Sequence, residues 1–265
     1  KTAYEIRPRD WSSDVCSSDL RVAGPRGGGR PARATGRPVI AHAGAKINLG
    51  LAITGIRPDG YHELSSLFVR LALGDDLEVA VAGEGHSDSL VVLDDPACPV
   101  EGNLVLRAAA LLREWAGRPL PGLAFRLRKR IPMGGGLGGG SADGAAALAM
   151  AAAAWGLDPD AEVRLSLAVR LGADVPFFAL GGPAAHVTGI GERVRPLPVP
   201  DGSPGILLVV PGGGLATPAV YRAYDALPPV GPAAARTVDE LVGAWPVLDG
   251  PGLAARRSEE HTSEL

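Results

Sequence analysis

Between Pro132 and Ser141 the chain reads PMGGGLGGGS, with six glycines in the seven residues Gly134–Gly140. Glycine has no Cβ, so such a run lets the backbone take positive φ and lie directly against a ligand. The run empties into a segment of mostly Ala, Ser141 to Trp155, that reads as a helix. The N–H groups of a helix's first turn have no partner inside the helix and stand at the positive end of its dipole. Loop and helix start together predict an anion site, and a nucleotide triphosphate is the obvious guest. No Lys-Ser/Thr follows the glycines, so this is not a Walker loop. No acidic residue closes a following strand about 20 residues on, so it is not the dinucleotide fingerprint. A flexible linker is the competing reading. Ile131-Pro132 on one side and the Ala-rich helix on the other pin both ends and disfavour it.

The rest of the composition narrows the class. A chain of 265 residues fits one large domain or two small ones. Hydrophobic residues make up 46% and aromatics only 5%, so the core has to be built mainly from Ala, Leu and Val. A net charge of −3 gives no electrostatic footprint for nucleic acid. Two cysteines, Cys16 and Cys98, form neither a disulfide framework nor a metal-ligand spacing, which fits a reducing, cytoplasmic compartment. The longest apolar run, Gly144 to Leu157, is too short to span a bilayer, so no membrane partner is expected.

Local signals give a mixed order of elements. From Ala45, AKINLGLAITG alternates; Ile47, Leu49, Leu51 and Ile53 fall on one face and Lys46, Asn48, Gly50 and Ala52 on the other. Arg57–Gly60 is a turn. Strands are expected from Leu77 and from Leu123, and a buried strand at Ile206–Val210. Asn103 is expected to cap a helix to about Trp115, and Asp158 or Asp160 to cap one ending at Gly172. Pro176 suits the first turn of a further short helix. Strands and helices mix without a βαβ rhythm, which predicts α+β rather than a doubly wound sheet. Residues 1–20 and the tail from about Arg257 lack any period and resemble translated adapter sequence foreign to the fold. The expected organisation is a non-native or disordered extension over 1–39, a kinase domain with the loop over 40–200, a truncated second domain over 201–256 and a foreign tail over 257–265.

Several blocks together carry a family resemblance. PMGGGLGGGSADGAAA, from Pro132, resembles the phosphate loop of GHMP kinases. AKINLGLAITGIRPDGYHEL, LGADVPFF and PGGGLATPAVY are similar to further blocks of the branch of that superfamily that acts on a cytidine-diphosphate-linked methylerythritol. The resemblance spans about Ala43 to Asp225. It implies the GHMP kinase fold, with a ribosomal-protein-like first domain and a truncated ferredoxin-like second one. The implied reaction is ATP-dependent phosphorylation of the substrate's 2-hydroxyl in non-mevalonate isoprenoid synthesis, with ATP and Mg2+ as cofactors and no dedicated protein metal site.

The resemblance also assigns residues. Lys46 and Asp174 match the catalytic pair. Pro132, Met133, Gly134, Gly135, Gly136, Leu137, Gly138, Gly139, Gly140, Ser141 and Ala142 match the nucleotide loop, where Ser141 touches phosphate or magnesium or simply caps the helix. Asn48, Tyr61, His62 and Tyr221 match substrate-binding positions, Tyr61 by stacking on the base and His62 by hydrogen bonds to its edge. Spacing alone favours Asp174 as a cap for the Pro176 helix, and the two roles are compatible. Half-buried packing competes with base contact at Tyr221. The family's second Gly-rich block has no counterpart here, so about fifty residues of the second domain are expected to be missing and activity is in doubt. The alternatives are another GHMP small-metabolite kinase, a catalytically dead fragment, or an RNA-binding module on the shared ribosomal-protein fold.

Overall fold

The structure is a computed structural model and describes residues 2–6, 21–22, 38–83, 85–199, 205–210, 217–227 and 233–245. The tail expected at 257–265, most of the 1–39 extension and the first six residues of PGGGLATPAVY lie outside them. The strands are β1 (Thr2–Ile6), β2 (Arg21–Val22), β3 (Val39–Ile56), β4 (His62–Val81), β5 (Ser89–Val92), β6 (Leu123–Arg128), β7 (Ala184–Gly189), β8 (Arg193–Leu197) and β9 (Ile206–Val210). The helices are α1 (Leu104–Ala116), α2 (Gly139–Trp155), α3 (Ala161–Leu171), α4 (Val175–Leu180), α5 (Thr217–Asp225) and α6 (Ala233–Ala244). The expected α+β class is borne out. No helix of the described residues is long and apolar enough to cross a membrane.

The chain divides into two compact units that interleave in sequence. The loop unit holds the described residues up to 46 from β2 onward, together with 73–181; the hairpin unit holds 2–6, 47–72 and the described residues from 182 on. The long neighbouring strands β3 and β4 each contribute to both.

In the loop unit, the C-terminal half of β4 pairs antiparallel with β6, placing Leu77 opposite Leu127 and Val79 opposite Phe125. β5 joins β6 in parallel, Leu90 beside Phe125. Alternation sends Leu77, Val79, Leu123, Phe125 and Leu127 to one buried face. Helices cover that core. Asn103 caps α1 by accepting from the Val105 N–H, and Asp160 caps α3 by accepting from the Val163 N–H, as their positions predict. The central helix α2 is apolar nearly all round and correspondingly buried, with Ala147, Met150 and Ala151 at 0% exposure. Its small residues allow close packing: a Cβ on Gly144 would come within 3.0 Å of Leu104 Cβ on α1. Full burial of a Phe or Leu side chain in such a core contributes about 1.5–3 kcal/mol.

In the hairpin unit, the turn after β3 closes as predicted, with Gly60 N–H donating to Arg57 O at 2.9 Å and Arg57 N–H to Tyr61 O at 2.8 Å. Gly60 takes φ 84°, a conformation other residues resist. The N-terminal half of β4 pairs with β7, and β7 with β8. β1 pairs antiparallel with β9, Thr2 opposite Val210 and Ile6 opposite Ile206.

One expectation needs correction and one gains a detail. The two rows of β3 are covered unequally: Leu51 in the row of Ile47, Leu49 and Ile53 is 50% exposed, whereas Ala52 on the opposite row is 3% exposed. The cause is α6, which the sequence reading omitted. Its Val238, Leu241 and Val242, with Trp245 just beyond, cluster with Ala52, Leu67, Ala184 and Leu197. A helix lying that close demands small residues, and a Cβ on Gly50 would be 2.9 Å from Leu241 Cδ1. The correction is to β9, which is not the buried strand expected, since Leu207 and Val209 are 69% and 56% exposed. Its alternation leaves one face to solvent.

Candidate active site

The glycine loop leads into α2 through Gly138, which takes the N-cap position with φ 69° and offers no side chain. Gly134 and Gly136 also have positive φ. The first bond of the helix runs from Ala142 N–H to Gly138 O at 2.9 Å, so the N–H groups of Gly139, Gly140 and Ser141 precede the helical ladder. Together they form a cradle for anionic oxygens. Ser141 is half-buried on this first turn, Met133 is exposed, and the Ala142 methyl is buried.

Lys46 lies against this cradle. Its backbone N–H donates to Leu137 O at 2.9 Å, so β3 is tied to the loop. Its side chain passes so near Gly138 that a Cβ there would be 3.0 Å from Lys46 Cγ and 2.9 Å from the Phe178 ring. Lys46 Nζ stands 3.4 Å from Asp174 Oδ2. Asp174 occupies the N-cap position of α4, as spacing suggests, but its carboxylate makes no capping bond. The carboxylate is therefore turned to the lysine and not spent on the helix. A carboxylate, an ammonium and a cradle of N–H groups are the parts that phosphoryl transfer requires.

Behind the loop lies a cluster that sequence reasoning missed. Asp75 is fully buried and accepts from the backbone N–H of Arg130 at 2.5 Å and of Ile131 at 2.8 Å, the residues leading into the loop. Lys129 Nζ donates to Asp75 Oδ2 and, at 2.8 Å, to Asp143 Oδ2 on the first turns of α2. Both ends of the loop are thus fastened to one ammonium. Asp143 Oδ1 is buried and has no hydrogen-bond partner among the described residues. Burial pushes the Asp143 carboxyl up to about 7; Lys129 opposes that rise and the neighbouring Asp75 charge adds to it. Burial works against the Lys129 charge, but the two carboxylates outweigh it and raise its pKa. The available signal was Asp143 itself, a lone charge inside an otherwise apolar helix.

In the hairpin unit, His62 stacks on Tyr221, with ring centroids 4.7 Å apart, and meets Tyr224 edge-on at 6.4 Å. His62 Nε2 lies 2.6 Å from Asp225 Oδ1. The structure thus brings together two of the four expected substrate residues and adds Asp225. Tyr61 stands at the hairpin end, 61% exposed. Asn48 donates to Ser66 Oγ at 2.9 Å, and Ser66 donates on to Gly50 O. Among the described residues no group of three His, Cys, Asp or Glu side chains is disposed to hold a metal ion.

Comparison with known proteins bears on the family and the fold. Residues 103–182, which contain the loop and Asp174, match the family model of the GHMP kinases N terminal domain. Over 179 residues the chain is 45% identical to 4-diphosphocytidyl-2-C-methyl-D-erythritol kinase of Burkholderia mallei (strain SAVP1), an alignment covering 68% of this chain and 59% of that protein. It is 42% identical over 183 residues to the enzyme of the same name from Methylococcus capsulatus (strain ATCC 33009 / NCIMB 11132 / Bath), covering 69% and 61%. The crystal structure of a 4-(cytidine 5'-diphospho)-2C-methyl-D-erythritol kinase superposes with a TM-score of 0.56 at 34% identity, over 84% of this chain and 79% of that one. Fold and loop define the class, a GHMP kinase. Within that class the chain belongs to the 4-diphosphocytidyl-2-C-methyl-D-erythritol kinase family. It spans 59% of the length of the first of these curated relatives.

Proposed function

We propose that the chain transfers the γ-phosphoryl group of ATP to the 2-hydroxyl of 4-diphosphocytidyl-2-C-methyl-D-erythritol, a step of non-mevalonate isoprenoid synthesis. The observation that carries the proposal is Asp174, its carboxylate unused as a cap and 3.4 Å from Lys46, whose side chain runs along the glycine loop at the start of α2. In this reading Asp174 accepts the hydroxyl proton as the alkoxide oxygen attacks phosphorus and ADP leaves. Lys46 orients the hydroxyl and balances charge on the moving phosphoryl group. Residues 132–142 hold the triphosphate through backbone N–H groups. Mg2+ usually binds through phosphate oxygens with few protein ligands, which is compatible with the lack of a three-residue cluster among the described residues. Ser141 is the candidate hydroxyl to meet it, and the ion supplies neutralisation of phosphate charge. Tyr61, His62 and Tyr221 hold the cytosine and Asn48 the polyol. ATP as donor fits a cytoplasmic setting.

The test is to incubate the chain with ATP, Mg2+ and the cytidyl substrate and to follow the new phosphomonoester by phosphorus NMR, with homoserine and mevalonate as competing acceptors. Phosphorylation of the cytidyl substrate alone supports the proposal. Turnover of homoserine or mevalonate instead reassigns the substrate, and no turnover of any acceptor defeats the proposal.

A further inference from the structure

The pairing of His62 with Asp225 has a chemical consequence that depends on where the imidazole carries its proton. Asp225 ends α5, and its Oδ1 lies 2.6 Å from His62 Nε2. The terminal carbonyls of a helix carry partial negative charge, so an aspartate there works against the helix and needs an offsetting partner. His62 supplies it. Its side chain is 12% exposed and is held from one face by Tyr221, so the ring has little freedom to turn away. A carboxylate only accepts hydrogen bonds, so a contact this short requires the proton on Nε2. In the neutral imidazole the other nitrogen, Nδ1, is then a bare acceptor.

We propose that Asp225 is a specificity-determining positioning residue: by fixing the proton of His62 on Nε2, it makes Nδ1 an acceptor that selects the exocyclic amine of cytosine over the carbonyl of uracil. This rests on the reading of His62 as a contact to the base edge. At position 4, cytosine offers an N–H donor and a uracil-type ring a carbonyl acceptor. An acceptor facing a carbonyl leaves two lone pairs opposed and unpaired. Discrimination of roughly ten- to a hundredfold is the expected scale for such a polar mismatch. Asp225 itself need not touch the substrate.

Two measurements on the full chain separate this inference from the reading beneath it. The first is 15N NMR of the His62 ring in the ligand-free protein at pH 8. The expected signature is a protonated Nε2 and a bare Nδ1; a proton on Nδ1 overturns the inference whatever the substrate. The second is the ratio of CDP to UDP affinity by titration calorimetry, with a non-hydrolysable ATP analogue saturating the glycine loop. CDP should bind at least tenfold more tightly. In Asp225→Ala that ratio should collapse towards one while the melting temperature moves by only a few degrees. The His62→Ala/Asp225→Ala double variant should be no worse than His62→Ala alone, because Asp225 acts through the ring. A ratio unchanged in Asp225→Ala but lost in His62→Ala defeats the inference and leaves the base site standing. A ratio unchanged in His62→Ala removes the base site and the inference with it.

Discussion

Lys46 Nζ and Asp174 Oδ2 stand 3.4 Å apart, and the lysine reaches that point by running its side chain along Gly138. The carboxylate has a helix to cap and does not cap it. One residue therefore sits in a structural position while its functional group is left for other work.

Asp174→Asn tests that separation. The amide cannot take up a proton, so phosphoryl transfer should fall by about 10²–10⁴-fold. Because no capping bond is lost, the melting temperature should stay within a few degrees of the parent. Transfer within a few-fold of the parent removes Asp174 as the base; a large fall in melting temperature makes its role structural.

Gly138→Ala should harm both binding and folding. The new Cβ meets the Phe178 ring at 2.9 Å and Lys46 Cγ at 3.0 Å, in a backbone with φ +69°. The left-handed conformation alone costs a non-glycine residue about 1–2 kcal/mol. ATP titration and thermal melting should show parallel losses, whereas Gly140→Ala, at a site with open space and no positive φ, should melt close to the parent.

Lys129→Met leaves Asp75 and Asp143 buried without their cation and should destabilise by about 3–5 kcal/mol. Denaturant unfolding measures this, and a loss under about 1 kcal/mol would mean that the pair does not fasten the loop ends.

Asp143 carries a pH signature. Its carboxyl is pushed up by burial to about 7 in the folded chain, above its ordinary value of 3.8. The folded state therefore binds the proton more tightly than the unfolded state, and this contribution to stability is full below about pH 4 and fades as pH rises towards 7. Asp143→Asn cannot titrate. The variant should gain stability relative to the parent as pH rises from 4 to 7, read as the difference in melting temperature at each pH. A flat difference would mean that Lys129 holds the carboxyl ionised throughout.

Leu241→Ala tests whether α6 belongs to the core it covers. Leu241 is 2% exposed and faces Gly50, so truncation should cost about 2–5 kcal/mol. A change below about 1 kcal/mol would detach α6 from the hairpin unit's stability.

What was legible in the sequence divides along physical lines. Caps are local, so Asn103 and Asp160 announced α1 and α3 without help from the rest of the chain. The loop was legible as a loop leading into α2, because six glycines in seven residues disfavour helix and strand alike while the Ala-rich segment after them favours a helix. Lys129 and Asp75 were not legible, because each alone resembles a solvated charge, and even Asp143, conspicuous in its apolar helix, gains its meaning only from meeting Lys129 across 14 residues, as Lys129 meets Asp75 across 54. Which face of β3 is covered was not legible for the same reason: alternation marks two sides, but only the arrival of α6 decides that Gly50 and Ala52 are covered. Asp225 closed the recognisable part of the sequence, and nothing local connects it to His62, 163 residues earlier. The two units interleave along the chain, whereas signals read in sequence order can only mark boundaries in succession.

The bond from the Lys46 N–H to Leu137 O couples the loop to the strand that carries the lysine. A nucleotide that draws Leu137 inward draws Lys46 with it, and a loop that opens must first release that amide. Hydrogen exchange at this single N–H is therefore a gauge of loop closure: protection should deepen with bound ATP, and the rate of exchange without it reports how often the cradle comes apart.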